Sequence, residues 1–136
     1  MEIGTKEQVA YVVQERDLAS FVAVSSEDNF PDVLATSRMI ALMEISAARL
    51  MKPLLQAGQL SVGVSVDIKH FAPTPVNEEV KAVATYLGVD GKTYQFEVEV
   101  FDRAGKVASG KHTRAIVETA RLVEGARSRM ANAEKC

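Results

Sequence analysis

Cysteine is nearly absent from this sequence. The only one is Cys136, the last residue, so no internal disulfide can form. A cytoplasmic protein that stabilises itself by burial is the simplest expectation. There is no excess of either charge: sixteen Lys and Arg against eighteen Asp and Glu leave a formal charge of −2. With no basic run either, nucleic acid is not expected as the main partner. No charge-free run approaches ~18 residues, so no membrane span is expected. The opening MEIGTKEQ lacks the basic-then-apolar order of a secretory signal. His70 and His112 have no second cysteine and no HExxH-type spacing beside them, so they make no metal site. GVDGKT, residues 88–93, contains GKT, but Tyr86 stands where a phosphate-binding loop needs its first glycine. It reads as a hairpin turn. No internal repeat or low-complexity segment is present.

What remains is a soluble composition, 47% apolar and 25% charged over 136 residues, enough for a single domain spanning 1–136. Its organising stretch is Phe30 to Leu55, read as one long, mostly apolar helix. Val33, Ile40, Ala47 and Leu54 fall on one line at a spacing of seven, with Thr36, Met43 and Leu50 on the next. Leu34, Met39, Leu42 and Met51 carry the apolar surface further round, so the helix is expected to be covered on most sides. Pro31 and Asp32 punctuate its start, Thr36 or Ser37 can act as N-cap, and Pro53 ends or kinks it near Lys52.

The rest of the chain reads as strands. Lys6 to Gln14 predicts one and Leu18 to Val24 a shorter second. Ser61 to Phe71 alternates, with Val62, Val64, Val66 and Ile68 on one face and Ser61, Gly63, Ser65, Asp67 and Lys69 on the other. Val80 to Leu87 and Thr93 to Phe101 are strands joined at Asp90-Gly91, a strong hairpin signal. Val107 to Val117 is the last strand, and Ala120 to Cys136 suits a short terminal helix. The order predicts an α+β domain: a long central helix wrapped by a curled antiparallel sheet of about five strands. Such a sheet leaves edges exposed, and pairing with a second copy is the natural remedy. This order resembles the hot-dog fold.

Few residues in this pattern can do chemistry. Glu44 stands in the middle of the apolar helix surface, where an ionised carboxylate is rare unless paired or working. His70 continues the register of Val62 to Ile68, so strand parity aims it at the same interior. The pair reads either as a structural Glu–His hydrogen bond or as a base or nucleophile with its orienting partner. Thr36 reads as an N-cap, or as a hydroxyl at the positive helix end, where amides can stabilise an oxyanion. Gly63 suggests a bulge or the close approach of a ligand or another backbone. His112 and Arg114 share a strand face with Gly110. Solvent exposure is the expectation for them, although a cation there could meet a phosphate or carboxylate.

FPDVLATSRMIALMEISAARLM, SVGVSVDIKHFAPTPVNEEV and ASGKHTRAIV resemble the bacterial fluoroacetyl-CoA thioesterase family of hot-dog proteins. Three features carry the resemblance: a Thr eight residues before a Glu, a Gly seven residues before a His, and the closing G-x-H-x-R-A. The resemblance implies a homodimeric acyl-CoA thioesterase with Thr36, Glu44 and His70 as catalytic residues. It places Phe30, Gly63 and Arg114 against the substrate. It implies no metal or organic cofactor, CoA being part of the substrate. Two departures stand out: Glu27 occupies the place of the family's first lid phenylalanine, and Ser37 that of the glycine after its threonine. Fluoroacetyl-CoA is therefore not carried over as substrate. A non-catalytic acyl-CoA-binding or sensing protein and a hot-dog hydratase or dehydratase are the alternatives. Helix geometry adds one expectation. Residues eight apart are separated by about 12 Å along the axis, so Thr36 and Glu44 reach one thioester only from two different chains.

Overall fold

A computed structural model describes residues 1–134, so Cys136 lies outside it. The elements in chain order are β1 (Lys6–Val12), α1 (Thr36–Met51), β2 (Gln59–His70), β3 (Glu79–Asp90), β4 (Thr93–Asp102), β5 (Gly105–Glu118) and α2 (Thr119–Ala133). The five strands form one sheet in the order β1-β3-β4-β5-β2, antiparallel throughout. The sheet curls round α1, the arrangement that the order of elements predicts. β3 and β4 meet at the expected hairpin, where Asp90 pairs with Thr93 and Gly91 takes a φ of 62°.

The core follows from two periodicities. Met39, Leu42, Met43, Ser46, Ala47, Leu50 and Met51 form the buried face of α1. Every second residue of β3 (Val80, Ala82, Ala84, Tyr86) and of β4 (Phe96, Val98, Val100) is buried against it. The small side chains of Ala82 and Ala84 leave room for the helix. Each large side chain buried there contributes roughly 1.5–3 kcal/mol.

Three expectations are corrected. First, Leu18 to Val24 is not a strand; Glu15–Asp17 and Ala19–Val22 are 3-10 turns. The reason is Asp17, whose fully buried carboxylate accepts hydrogen bonds from the Tyr11 hydroxyl (2.7 Å), the Gln14 amide (2.8 Å) and Arg38 Nε (2.9 Å). Burial alone would raise the Asp17 pKa, but those bonds outweigh it and hold the carboxyl below its ordinary value. The Ala35 amide donates to the Asp17 carbonyl and the Ala19 amide to that of Val33, tying the segment to the helix entry instead of a sheet edge.

Second, the helix is shorter than Phe30 to Leu55. Ala35 is extended (φ −65°, ψ 139°) and serves as N-cap without a side-chain hydrogen bond, so Thr36 is the first helical residue and not the cap. The Leu34 amide is taken by the Thr74 carbonyl, which holds the approach out of the helix. At the other end Pro53 lies in a 3-10 turn, Lys52–Leu54, as its missing N–H requires.

Third, the alternation along β2 is broken. Gly63 pairs with Arg114, but Ser65 pairs with Thr113, so a bulge shifts the register between them. Below the bulge Ser61 and Gly63 share a face with Ile116 and Arg114; above it Val66, Ile68 and His70 share that same face with His112, Gly110 and Ala108. The strand thus shows odd-numbered residues to α1 in its first half and even-numbered ones in its second. Val62 is carried to the outer face.

Helix α2 follows β5 directly, with Leu122, Val123 and Met130 exposed. Among the described residues no helix is long and apolar enough to cross a membrane.

Candidate active site

The candidate residues fall into two groups. The first lies at the start of α1. With Ala35 offering no side chain to the first-turn amides, the Thr36 hydroxyl is free for another partner, and that partner is His70. Thr36 Oγ1 and His70 Nδ1 are 2.9 Å apart. His70 stands at the end of β2, opposite Ala108, so the upper half of the strand carries it to the helix. Its other ring nitrogen, Nε2, is buried and meets no hydrogen-bonding group among the described residues. An open groove of about 390 Å³ runs past this pair, lined by Ala19, Pro31, Val33, Phe71 and Pro73 among others. Phe30 precedes that groove wall and is half exposed.

The second group lies two turns along α1. Glu44 reaches from the helix toward β2 and β5, its side chain 42% exposed, and its Oε2 accepts a 2.9 Å hydrogen bond from Arg114 Nη1. The expected Glu44–His70 contact is not formed within one chain. The expectation that His112 and Arg114 face solvent is also overturned, since they are 1% and 6% exposed. Arg114 donates from Nε to Ser61 Oγ (3.0 Å) and from Nη2 to the Ser61 carbonyl (2.9 Å). Its Nη1 also lies 3.1 Å from His112 Nε2, and His112 Nδ1 lies 2.8 Å from the Ser65 carbonyl oxygen. Gly63 completes the group. A Cβ there would lie 2.7 Å from Glu44 Oε2, so the absence of a side chain is what lets the carboxylate reach Arg114.

The site therefore has a hydroxyl paired with an imidazole at a helix N-terminus, and a half-exposed carboxylate held by a buried guanidinium. That set suits acid–base and acyl-transfer chemistry. Among the described residues no three His, Cys, Asp or Glu side chains gather to hold a metal ion.

Comparison with known proteins gives this geometry a family. The model of the fluoroacetyl-CoA-specific thioesterases matches residues 13–120. The chain belongs to that family. Within the family, the fluoroacetyl-CoA thioesterase of Streptantibioticus cattleyicolor is 35% identical over 88 residues, 65% of this chain. The match spans 63% of that relative's length. A solved structure of a fluoroacetyl-CoA thioesterase superposes with a TM-score of 0.90 at 29% identity, covering 94% of this chain and 96% of the other. A related structure holds fluoroacetate and CoA, and another holds acetyl-CoA. A thioesterase superfamily member from Thermus thermophilus, 21% identical with a TM-score of 0.87, covers 99% of this chain and 97% of its own, and shows the fold alone.

Sequence reasoning missed the depth of the Arg114 group. Arg114, His112 and Gly110 alternate along β5, and a stride of two was legible as one face. Which face it was depended on the bulge in β2. Ser61 and Phe71 gave no sequence signal: the first looks like a solvent-facing strand residue, the second like a strand end.

Proposed function

We propose that this protein is an acyl-CoA thioesterase, hydrolysing a thioester to a carboxylic acid and free CoA, and that it works as a homodimer. The observation that carries the reading is the Thr36–His70 hydrogen bond of 2.9 Å beside an open groove. A hydroxyl paired with an imidazole is the arrangement of an activated nucleophile or of a hydrogen-bonding cradle for a reacting carbonyl. Glu44 acts as the nucleophile or as the base for water, His70 assists proton transfer, and Thr36 positions the thioester or attacks it. In each route water supplies hydroxyl to the acyl carbon and the C–S bond breaks. The sulfur leaves as a thiol once it has gained a proton. The first-turn amides of α1 favour the oxyanion that forms on the way. Gly63 and Arg114 line the acyl end and Phe30 its entrance.

The two groups belong to one site only if two chains build it, because helix geometry holds Thr36 and Glu44 about 12 Å apart. β2 supplies the means. It is an edge strand, and Leu60, Val64 and Val66 are exposed along it. Uncovered, such an edge is a template for pairing. Pairing along β2 about a two-fold axis, with the α1 helices antiparallel, brings Thr36 and His70 of one chain to Glu44 and Arg114 of the other. The partner then also supplies polar groups for His70 Nε2.

A panel of acyl-CoAs, read by free thiol release, tests the activity. Turnover of short or medium acyl-CoAs is expected, without preference for fluoroacetyl-CoA over acetyl-CoA, since Glu27 and Ser37 replace the lid phenylalanine and the glycine that the resemblance leads one to expect. Binding without thiol release identifies a sensor, and hydration of an enoyl-CoA identifies a hydratase. Mixing tests the shared site. Thr36→Ala and Glu44→Gln chains, each inactive alone, are refolded together with distinguishable tags. A mixed dimer holds both lesions in one site and leaves the other intact, so roughly a quarter of wild-type activity returns. Mixed dimers without activity would rule the shared site out.

A further inference from the structure

His112 is fully buried beside the proposed site and takes no part in the chemistry set out for it. Its neighbours nevertheless fix its state. The Ser65 carbonyl 2.8 Å from Nδ1 can only accept, so Nδ1 carries the proton. The Arg114 guanidinium 3.1 Å from Nε2 can only donate, so Nε2 offers its lone pair. His112 is therefore a neutral imidazole, and an imidazolium would set two donors face to face. The groups turned toward it are Glu44 from α1, Arg114 from its own strand, the Ser65 carbonyl from β2 and the Phe96 ring of β4, 6.4 Å away between centroids. Desolvation pushes its pKa down and the Arg114 charge acts in the same direction. The Ser65 bond and the Glu44 charge oppose them and do not prevail.

We propose that His112 is a positioning residue for Glu44: its neutral Nε2 fixes the Arg114 fork in the orientation from which Nη1 holds the Glu44 carboxylate. A guanidinium has five N–H donors. Here Nε and Nη2 go to Ser61, while Nη1 is divided between Glu44 and His112. Without the imidazole acceptor, the inner N–H of Nη1 is left buried and unpaired. The fork then turns to satisfy it and draws the outer N–H away from Glu44. The same geometry makes the hold sensitive to acid, since protonation of Nε2 removes the acceptor and adds a like charge. The proposal rests on Glu44 acting on the thioester. It explains why a histidine stands two residues before the arginine, where a side chain facing the core is otherwise expected to be apolar.

The test uses the full-length protein and two variants. His112→Gln keeps a donor for the Ser65 carbonyl and an acceptor for Arg114. His112→Leu keeps bulk and removes both. With acetyl-CoA or the best substrate of the panel, the Gln variant keeps kcat within about 3-fold, while the Leu variant loses ~10-fold or more with KM little changed. Nitrogen-15 NMR of the wild-type ring is expected to show protonated Nδ1 and bare Nε2 at neutral pH. Because the folded pKa lies below the ordinary 6.5, stability is complete above that pH and falls as pH drops through the folded value. The Gln variant should lack this acid-side fall in Tm. A Leu variant with wild-type kcat overturns the proposal, as does a Gln variant as impaired as Leu. Should the Leu variant not fold, a protonated Nε2 at neutral pH overturns it instead. Failure of the underlying reading looks different, because Glu44→Gln would then keep full turnover whatever His112 does.

Discussion

Glu44→Gln is expected to fold and melt almost like the wild type while losing about 10²-fold or more of thioesterase turnover. The stability half of this expectation comes from the surroundings of the carboxylate. Glu44 is 42% exposed, so its ion pair with Arg114 contributes at the modest end of the range for such pairs. The glutamine amide oxygen accepts the same Nη1 hydrogen bond, and Arg114 keeps Ser61 and His112 as partners. The cost is therefore held to about 1 kcal/mol or less. The activity half is chemical. An amide neither takes a proton from water nor attacks a thioester, so either route through Glu44 is lost. Thiol release measured beside a thermal melt checks both halves, and full turnover in the variant sinks the assignment.

Two glycines, each changed to alanine, should fail in opposite ways. At Gly110 a Cβ would run into the Asp67 carbonyl oxygen and lie 2.6 Å from Ile68 Cα, both backbone atoms of the neighbouring strand. Backbone locked in a ladder cannot step aside. Gly110→Ala is expected to cost at least about 3 kcal/mol or to prevent folding. At Gly63 the obstructing atom is Glu44 Oε2, the tip of a flexible side chain, and His112 Cε1 is at an ordinary 3.5 Å. Gly63→Ala should therefore keep its stability and lose turnover by ~10-fold or more, because the carboxylate alone moves. Urea unfolding and kcat, measured on both variants, separate the two cases. A Gly110→Ala protein of normal stability, or a Gly63→Ala enzyme of normal kcat, would contradict this account of the site.

The elements with strong periodicity were legible in the sequence. The buried stripe of α1, the β3–β4 hairpin at Asp90-Gly91 and the last strand all stand where apolar spacing and turn chemistry put them. The segment before α1 was not legible, because its shape depends on one buried Asp17 whose partners, Tyr11, Gln14 and Arg38, lie on both sides of it in the chain. Thr36 and His70 were readable as candidates, and their hydrogen bond follows from parity above the bulge. Glu44 was readable as an anomaly, but not its partner. Arg114 reaches it across 70 residues of chain, through a register shift that alternating valines conceal.

That register shift has a consequence for how the strand accepts change. Tolerance along β2 follows two combs offset by one position: the residues facing α1 are 61 and 63, then 66, 68 and 70. Val64 is the extra residue, so removing it would rejoin the combs into one and keep Gly63 and His70 on the face shown to α1. The two halves of the site can thus vary in sequence independently, while the extra residue sets the bend between them.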